Sequence, residues 1–378
     1  MKIALIHYWF YGMRGGEKVV AEILRLFPKA DLFTHLFIPN KLDPIICERH
    51  VTTTFINRLP LAGKLYQAYL PLMPTALKRL DLSEYDLIIS SESGPAKGVV
   101  KRPDACHICY CHTPMRYIWD QQPVYLEQAG ILKRWYLKRI TPYLRRWDKW
   151  SAGQVDHFIT NSENVQQRIE NIYQCPATII YPPVAVGNFS AVGTKSDYFI
   201  MAGQLVPYKR PDLAIVAFNQ LGLPLKVVGT GLELEKLKSL AKNNIEFTGY
   251  VSDAELSHLL AGSRALIFPG EEDFGIIPVE AQAAGTPVIA LGRGGVLETV
   301  NGRYYNDQIN TGEELTGLFF NNPQIQDLIS AVKKFITIEH LIKPEVCQKQ
   351  ASQFSVDRFR KEFKLFVEDV LPATLLVK

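Results

Sequence analysis

No stretch of this chain is apolar for long enough to span a bilayer: the longest candidate, Gly275 to Gly292, is broken by Glu280 and Gln282, and about 18 uninterrupted residues are needed. Repeats and low-complexity tracts are absent. The 25 glycines and 23 prolines among 378 residues are near average, and 47% of residues are hydrophobic against 21% charged, which excludes disordered and fibrous classes. No secretory leader is visible, because Lys2-Ile-Ala-Leu-Ile-His-Tyr8 already starts as a buried strand and leaves no room for a basic region, an apolar stretch and a cleavage site; a cytoplasmic protein is expected. Neither sign of charge is in large excess. With 42 Lys+Arg against 38 Asp+Glu, the net +4 is too small to imply a nucleic-acid partner. The six cysteines lack the paired spacing of a disulfide framework. Three of them, Cys106, Cys109 and Cys111, crowd one run with His112. A metal site from Cys106, Cys109 and His112 is one reading, but strand alternation puts Cys109 and Cys111 on one face and no second Cys/His pair follows, which favours small buried thiols in a parallel strand.

What the chain does have is a repeated alternation of short β-rich runs and amphipathic helical stretches, the pattern of a parallel sheet covered by helices. Strands are expected near 2–8, 31–37, 51–55, 86–91, 105–112, 156–161 and 178–181, with helices near 16–27, 61–80, 131–150 and 163–173. After Tyr181-Pro-Pro-Val184 and a Gly/Ser/Thr-rich linker to about Lys195, strands near 198–203, 225–230, 245–249, 264–269 and 287–291 alternate with helices near 210–220, 232–242, 253–262 and 276–285. The fold class is therefore α/β: two doubly wound, Rossmann-like parallel-sheet domains facing a cleft, residues 1–183 and 184–354. Ligands of such sheets sit beyond the carboxyl ends of the strands.

The stretch Phe268-Pro-Gly-Glu-Glu-Asp-Phe-Gly-Ile-Ile-Pro-Val-Glu280 is one such end. A strand stops, an acidic loop follows, and Gly275 with Pro278 opens a helix whose free N–H groups make an anion site. Glu272 on the loop and Glu280 one turn into the helix flank the place a phosphate would take, and a carboxylate accepts two hydrogen bonds from a vicinal diol. At the amino end, Gly15 and Gly16 in Tyr11-Gly-Met-Arg-Gly-Gly-Glu-Lys-Val let backbone approach a phosphate between first strand and first helix. In Cys111-His-Thr-Pro-Met-Arg-Tyr-Ile-Trp119, Pro114 forces Thr113 into an extended conformation, which presents His112 at a strand's carboxyl end. Asn161-Ser-Glu163 ends another strand and reads as a helix cap at Ser162.

The segment Glu272-Asp-Phe-Gly-Ile-Ile-Pro-Val-Glu280, followed by Ala-Gly-Thr-Pro-Val-Ile289, resembles the donor-site signature of retaining, two-domain (GT-B fold) nucleotide-sugar glycosyltransferases of family 4. Gly203-Gln-Leu-Val-Pro-Tyr-Lys-Arg-Pro-Asp-Leu213 is similar to the family's Gly-Arg-Leu-Val-x-x-Lys, whose Arg and Lys neutralise the donor diphosphate. Here Gln204 replaces the arginine and Arg210 a common glycine, so charge neutralisation at the donor rests on Lys209 together with Arg210, with Gln204 supplying hydrogen bonds to phosphate but no charge, and weak or altered donor binding are both open. The resemblance implies donor contacts from Gly15, Gly16, Phe274, Gly275, Ile276 and Glu280, with the base received by backbone at Tyr250 and Val251. Gly294, Gly295 and Glu298 are similar to a second phosphate-facing loop. The run around His112 resembles that of bacterial O-antigen mannosyltransferases, which implies that His112 lies beside the transferred sugar, with Glu272 on the sugar hydroxyls and Arg116 and Trp119 on the acceptor side. The implied reaction moves a hexose, mannose from GDP-mannose in the subgroup, to a glycan or polyprenyl-diphosphate-linked acceptor with retention. No Asp-x-Asp triplet occurs, so no metal and no other cofactor is expected. The implied terminal helix, about 355–378, crosses back to the first domain. A nucleotide-sugar epimerase of the same architecture and a degraded sugar-nucleotide-binding protein are the alternatives; a dinucleotide dehydrogenase lacks its glycine fingerprint in both domains.

Residues 131–150 hold seven basic residues, one acid and five aromatics. Leu132, Tyr136, Ile140, Tyr143 and Trp147 make an apolar stripe at helical spacing. This helix either lies on an anionic membrane surface, with the Leu59–Pro74 region beside it, or packs on the sheet with a kink at Pro142.

Overall fold

The computed structural model describes residues 1–371 apart from 128, 129, 193 and 311. The chain divides into two compact units, Met1–Pro183 with the segment from Phe359 onward, and Val184–Arg358. In the first unit β1 (Ile3–His7), β2 (Asp31–Thr34), β3 (Val51–Thr53), β4 (Leu87–Glu92), β5 (Cys106–Cys111), β6 (His157–Thr160) and β7 (Ala177–Ile179) form one sheet in the order β3-β2-β1-β4-β5-β6-β7. Every pairing is parallel. The residue types explain this: β1, β4 and β5 are buried along their whole length, as strands covered by helices on both faces must be. In the second unit β8 (Phe199–Ala202), β9 (Leu225–Val228), β10 (Ile245–Gly249), β11 (Leu266–Phe268), β12 (Val288–Leu291), β13 (Gly302–Tyr304) and β14 (Gly317–Phe320) run β10-β9-β8-β11-β12-β14-β13, again all parallel. The strand order reverses between β1 and β4 and between β8 and β11, so each sheet has a topological switch point there.

Three departures from the sequence reading stand out: two unforeseen strands, a broken 61–80 segment and a divided stripe on the helix around Pro142. The strands β13 and β14 were not foreseen; three or four residues long, they carry too little pattern. The expected helix 61–80 is a chain of short turns, Ala62–Leu65, Tyr66–Leu72 and Met73–Lys78, because Pro71 and Pro74 each withdraw an amide from the ladder. Helix Ile131–Ala152 is continuous through Pro142. Its predicted stripe divides: Trp147 is buried with Leu144, while Leu132 is 84% exposed and Tyr143 43%. Of the terminal helix Val356–Val370, Phe359, Phe363 and Val367 pack with Leu5, Ile23 and Tyr110 in the first unit's core, and Arg360 donates to Glu22 at 2.7 Å. The expected continuation through 372–378 lies outside the described residues.

The long helix is anchored by charge as well as by packing. Lys97 is fully buried between the carboxylates of Glu92 and Asp148, also fully buried. Asp148 further accepts from Trp119 Nε1 at 2.7 Å and the Tyr173 hydroxyl at 2.8 Å. Burial alone would depress the Lys97 ammonium, but Asp148 and Glu92 outweigh it and raise its pKa. Removing one member leaves uncompensated charge in the interior. Lys97→Met is therefore expected to lower unfolding stability by about 3–5 kcal/mol, read from the denaturant midpoint of the first unit's transition; an unchanged midpoint would show that the cluster is not needed.

Three histidines of this unit are held neutral. His35 lies between Thr54 Oγ1 at 2.9 Å and the Pro95 carbonyl at 3.1 Å, and His107 between Ser90 Oγ at 2.8 Å and the Gln154 carbonyl at 3.2 Å. Burial pushes His35 down to about 3, His107 to about 4 and, with the His7 ring beside it, His112 to about 3. Their folded pKa values lie below the ordinary 6.5, so between pH 6.5 and 5 the unfolded chain takes up protons that the folded chain refuses, and stability falls with falling pH. Scanning calorimetry across that range is expected to show Tm dropping with uptake of about three protons on unfolding, reduced by about one in His107→Gln; a flat Tm would refute it.

Candidate functional site

In the second unit the predicted residues gather at the carboxyl ends on either side of the switch point. Lys209 ends the 3₁₀ turn Pro207–Lys209 that follows β8, and Glu272 stands on the loop that follows β11. Their side chains meet, Nζ to Oε1, at 2.8 Å, and both are only partly exposed, 16% and 21%. Burial would depress the Lys209 ammonium, but Glu272 beside it prevails and raises it above its ordinary value. The approach depends on a glycine: a Cβ on Gly270 would come within 2.6 Å of Lys209 Cα, so the two loops touch backbone to backbone there. Glu272 is fixed from its other side by Gly295 N, which donates to its carbonyl at 2.9 Å, and Gly294, at φ +73°, leaves 2.4 Å between a would-be Cβ and that same oxygen.

Gly275, at φ +90°, caps helix Ile276–Ala283, a conformation that glycine adopts without penalty. Ile276 is its first residue, and Glu280 is 6% exposed on it. Phe274 is buried edge-on against Phe354, with centroids 5.5 Å apart. Val251 is partly buried and Tyr250 is 84% exposed after β10. Gln204 is exposed. Arg210, in the left-handed region at φ 51°, turns its guanidinium onto Asp212, with Nε to Oδ1 at 3.0 Å. The two cations of this segment thus each face a carboxylate, and only Lys209 faces one of the predicted site residues.

In the first unit the site residues end β1, β4 and β5. Gly15 and Gly16 open helix Gly15–Leu26, whose start is closed by Glu17, its carboxylate accepting from the Arg14 amide at 3.1 Å. His112, half-buried, follows β5, and its amide donates to the Glu92 carbonyl at 2.8 Å. Its Nε2 lies 2.8 Å from Ser91 Oγ, which in turn lies 3.1 Å from His7 Nδ1. Sequence reasoning did not single out Ser91, His7 or Glu17; the signal available was their position at the ends of predicted strands and of the first loop. Arg116 Nε donates to Asp120 at 3.2 Å, and Trp119 is tied to Asp148 as above. Ser162 caps helix Glu163–Tyr173 by accepting from Val165 N at 3.2 Å.

The thiols divide between cores. Cys109 and Cys111 pack with Phe158 and Val165, whereas Cys106 faces Leu87 and Ile159; burial raises Cys106 to about 11 and Cys111 well above the ordinary thiol value. Among the described residues no group of three or more His, Cys, Asp or Glu is arranged to hold a metal ion.

Comparison with known proteins gives a match in each half. Residues 13–187 match the family model Glycosyltransferase Family 4, and residues 188–354 match Glycosyl transferases group 1. The chain is similar to the O-antigen chain mannosyltransferase RfbU of Salmonella typhimurium, 26% identical over 241 residues, which cover 58% of this chain and 63% of that one. It is also similar to the alpha-1,3/1,6-mannosyltransferase ALG2 of Kluyveromyces lactis, 25% identical over 276 residues, 58% of this chain and 53% of that one. The chain thus spans little more than half the length of these curated relatives. Among solved structures, Anabaena Alr3699/HepE in complex with UDP and glucose superposes with a TM-score of 0.68 at 17% identity, covering 98% of this chain and 100% of that one, which shows a shared fold.

Proposed function

We propose, from the premise that this chain belongs to the GT-B glycosyltransferases of family 4 and group 1, that it moves a hexose from a nucleotide-sugar to a glycan or lipid-linked oligosaccharide in the synthesis of a cell-surface polysaccharide. Mannose, carried as GDP-mannose, is the favoured sugar, a reading supported by the mannosyltransferases among its relatives. The observation that carries the proposal is the Lys209–Glu272 pair at 2.8 Å, beside a helix start that has the buried Glu280 inside its first two turns.

The roles follow from the chemistry of these groups. An arriving diphosphate competes for the Lys209 ammonium and for the N–H groups at the head of helix Ile276–Ala283, and so frees Glu272 to accept from the sugar hydroxyls. Glu280 holds the ribose diol. His112 contacts the transferred sugar. The bond from the anomeric carbon to phosphate breaks and one to the acceptor oxygen forms on the same face, with the acceptor proton passing to the leaving phosphate and the configuration retained. Lys209 and the helix N–H groups take the developing charge in the role a divalent cation fills elsewhere. Gln204 adds hydrogen bonds without charge.

Calorimetric titration with GDP, UDP, GDP-mannose and UDP-glucose in metal-free buffer tests this. One nucleotide is expected to bind selectively, about 10- to 150-fold more weakly in Glu280→Ala, the loss of one charged hydrogen bond. Lys209→Ala is expected to weaken it at least about tenfold and Arg210→Ala less, since Asp212 already holds that guanidinium. Glu272→Ala and His112→Ala are expected mainly to lower turnover. No binding of any of the four would overturn the reading.

A lipid-linked acceptor would place the first unit against a membrane. No helix among the described residues is long and apolar enough to cross one. Helix Ile131–Ala152 instead exposes Ile131 (88%), Leu132 (84%) and Trp135 (61%) among basic residues. Towards its other end a cleft of about 320 Å³ is lined by Pro74, Lys78, Tyr143, Arg146, Trp147 and Trp150, with Lys78 Nζ 4.8 Å from the Trp150 ring centre. We read this face as one that rests on an anionic bilayer. Co-sedimentation with vesicles containing phosphatidylglycerol is expected, and it is expected to be lost in Leu132→Ser/Trp135→Ser and with neutral vesicles; equal sedimentation with both vesicle types would refute it.

A further inference from the structure

A line of polar groups crosses the ends of β1, β4 and β5 and ends on His112. The parallel register puts His7 level with Ser91, and Ser91 level with Tyr110. His7 and Ser91 are fully buried and Glu17 is 2% exposed. Glu17 Oε1 lies 3.8 Å from His7 Nε2, His7 Nδ1 lies 3.1 Å from Ser91 Oγ, and Ser91 Oγ lies 2.8 Å from His112 Nε2. The other oxygen of Glu17 accepts from the Arg14 amide at 3.1 Å, which sets the carboxylate's orientation. Space around the line is closed as well: a Cβ on Gly16 would stand 3.1 Å from the Tyr8 hydroxyl, 3.4 Å from His112 Nε2 and 3.5 Å from His7 Cε1.

Proton counting gives the line a direction. Ser91 has one hydroxyl proton and two ring nitrogens beside it, so it donates to one and accepts from the other. A carboxylate only accepts, and at 3.8 Å Glu17 favours a proton on His7 Nε2 through the field it exerts in this dry site. That leaves His7 Nδ1 with its lone pair, which takes the Ser91 proton. The Ser91 oxygen must then accept from His112 Nε2–H, and His112 Nδ1 is left bare. We propose that Glu17, His7 and Ser91 are positioning residues that fix His112 as its Nε2–H tautomer, with Nδ1 an acceptor for a substrate hydroxyl. The acceptor role rests on the reading that His112 contacts the transferred sugar; the tautomer does not. Burial keeps His112 neutral, with its pKa at about 3, so at neutral pH the ring carries one proton, and the hydrogen bond to Ser91 decides which nitrogen holds it.

The test is ring ¹H–¹⁵N correlation spectroscopy on the full chain labelled with ¹⁵N-histidine, with the His112 signals identified by their loss in His112→Gln. A protonated Nε2 and a bare Nδ1 are expected, and a protonated Nδ1 overturns the proposal. In Glu17→Gln, whose amide can donate or accept, and in Ser91→Ala, the single tautomer is expected to give way to a mixture; an unchanged His112 pattern in both overturns it. Steady-state kinetics separates the two levels. Ser91→Ala is expected to lower kcat about tenfold, the scale of one hydrogen bond, with donor KM unchanged and activity restored in Ser91→Thr. If His112→Ala leaves turnover unchanged, the sugar-contact reading falls, while the tautomer stands or falls on the spectra.

Discussion

The constraint on which both sites depend is the reversal of strand order between β1 and β4 and between β8 and β11. All strands of a parallel sheet deliver their carboxyl ends to one edge, and connections that leave that edge in opposite directions open a crevice where the order reverses. Elsewhere these sheets are too dry for polar chemistry, since β1, β4, β5, β11, β12 and β14 are buried residue by residue. At the reversal the strand ends carry polar side chains that find hydrogen-bond partners on the neighbouring strand. The first unit places His7, Ser91 and His112 there, and the second places Lys209 and Glu272.

Two lysines, one buried and one half-buried, show how exposure decides what an ion pair does. Lys97 is sealed with two carboxylates, so its partners cannot be exchanged without stranding charge in the interior, and its consequence is to pin helix Ile131–Ala152 to the sheet. Among the described residues Lys209 pairs with one carboxylate, that of Glu272, and keeps 16% of its side-chain surface. In the proposed reaction an incoming diphosphate would replace Glu272 there at a modest desolvation cost and leave the displaced carboxylate available as an acceptor, and with Gln204 uncharged this exchange would rest on Lys209.

What was legible in the sequence followed the separation between the residues involved. Glu272, Gly275 and Glu280 lie within one short segment, so their shared strand-loop-helix context could be read directly, and Lys209 was placed by the motif around it. The two-sheet α/β architecture was legible for the same reason: each βα unit is local, and its apolar runs are continuous. The line through His7, Ser91 and His112 was not, because it joins residues 84 and 21 positions apart and exists only through the register of three strands. Lys97, Glu92 and Asp148 were hidden likewise. The stripe on helix Ile131–Ala152 misled in part because Asp148, a charged residue, occupies a buried position that an apolar pattern excludes; its partner is 51 residues away. The broken 61–80 segment was misread for a local reason, since Pro71 and Pro74 outweigh its leucines.

That helix serves two environments along its length. From Leu144 to Ala152 it is held by packing and by Asp148, and the residues that face the sheet there include Trp147 and Ser151. From Ile131 to Arg139 Tyr136 and Leu137 are only partly covered, and three large apolar side chains face outward. A chain that merely needed a covering helix could place polar residues at Ile131, Leu132 and Trp135 without loss of core, since none of the three contributes to one. Burying such residues is favourable at about 25 cal/mol per Å² of apolar surface, and in the proposed membrane contact the neighbouring Lys138 and Arg139 would favour an anionic surface over a neutral one. The helix thus holds an apolar end out beside cations while its other end is locked to the sheet by a buried ion cluster.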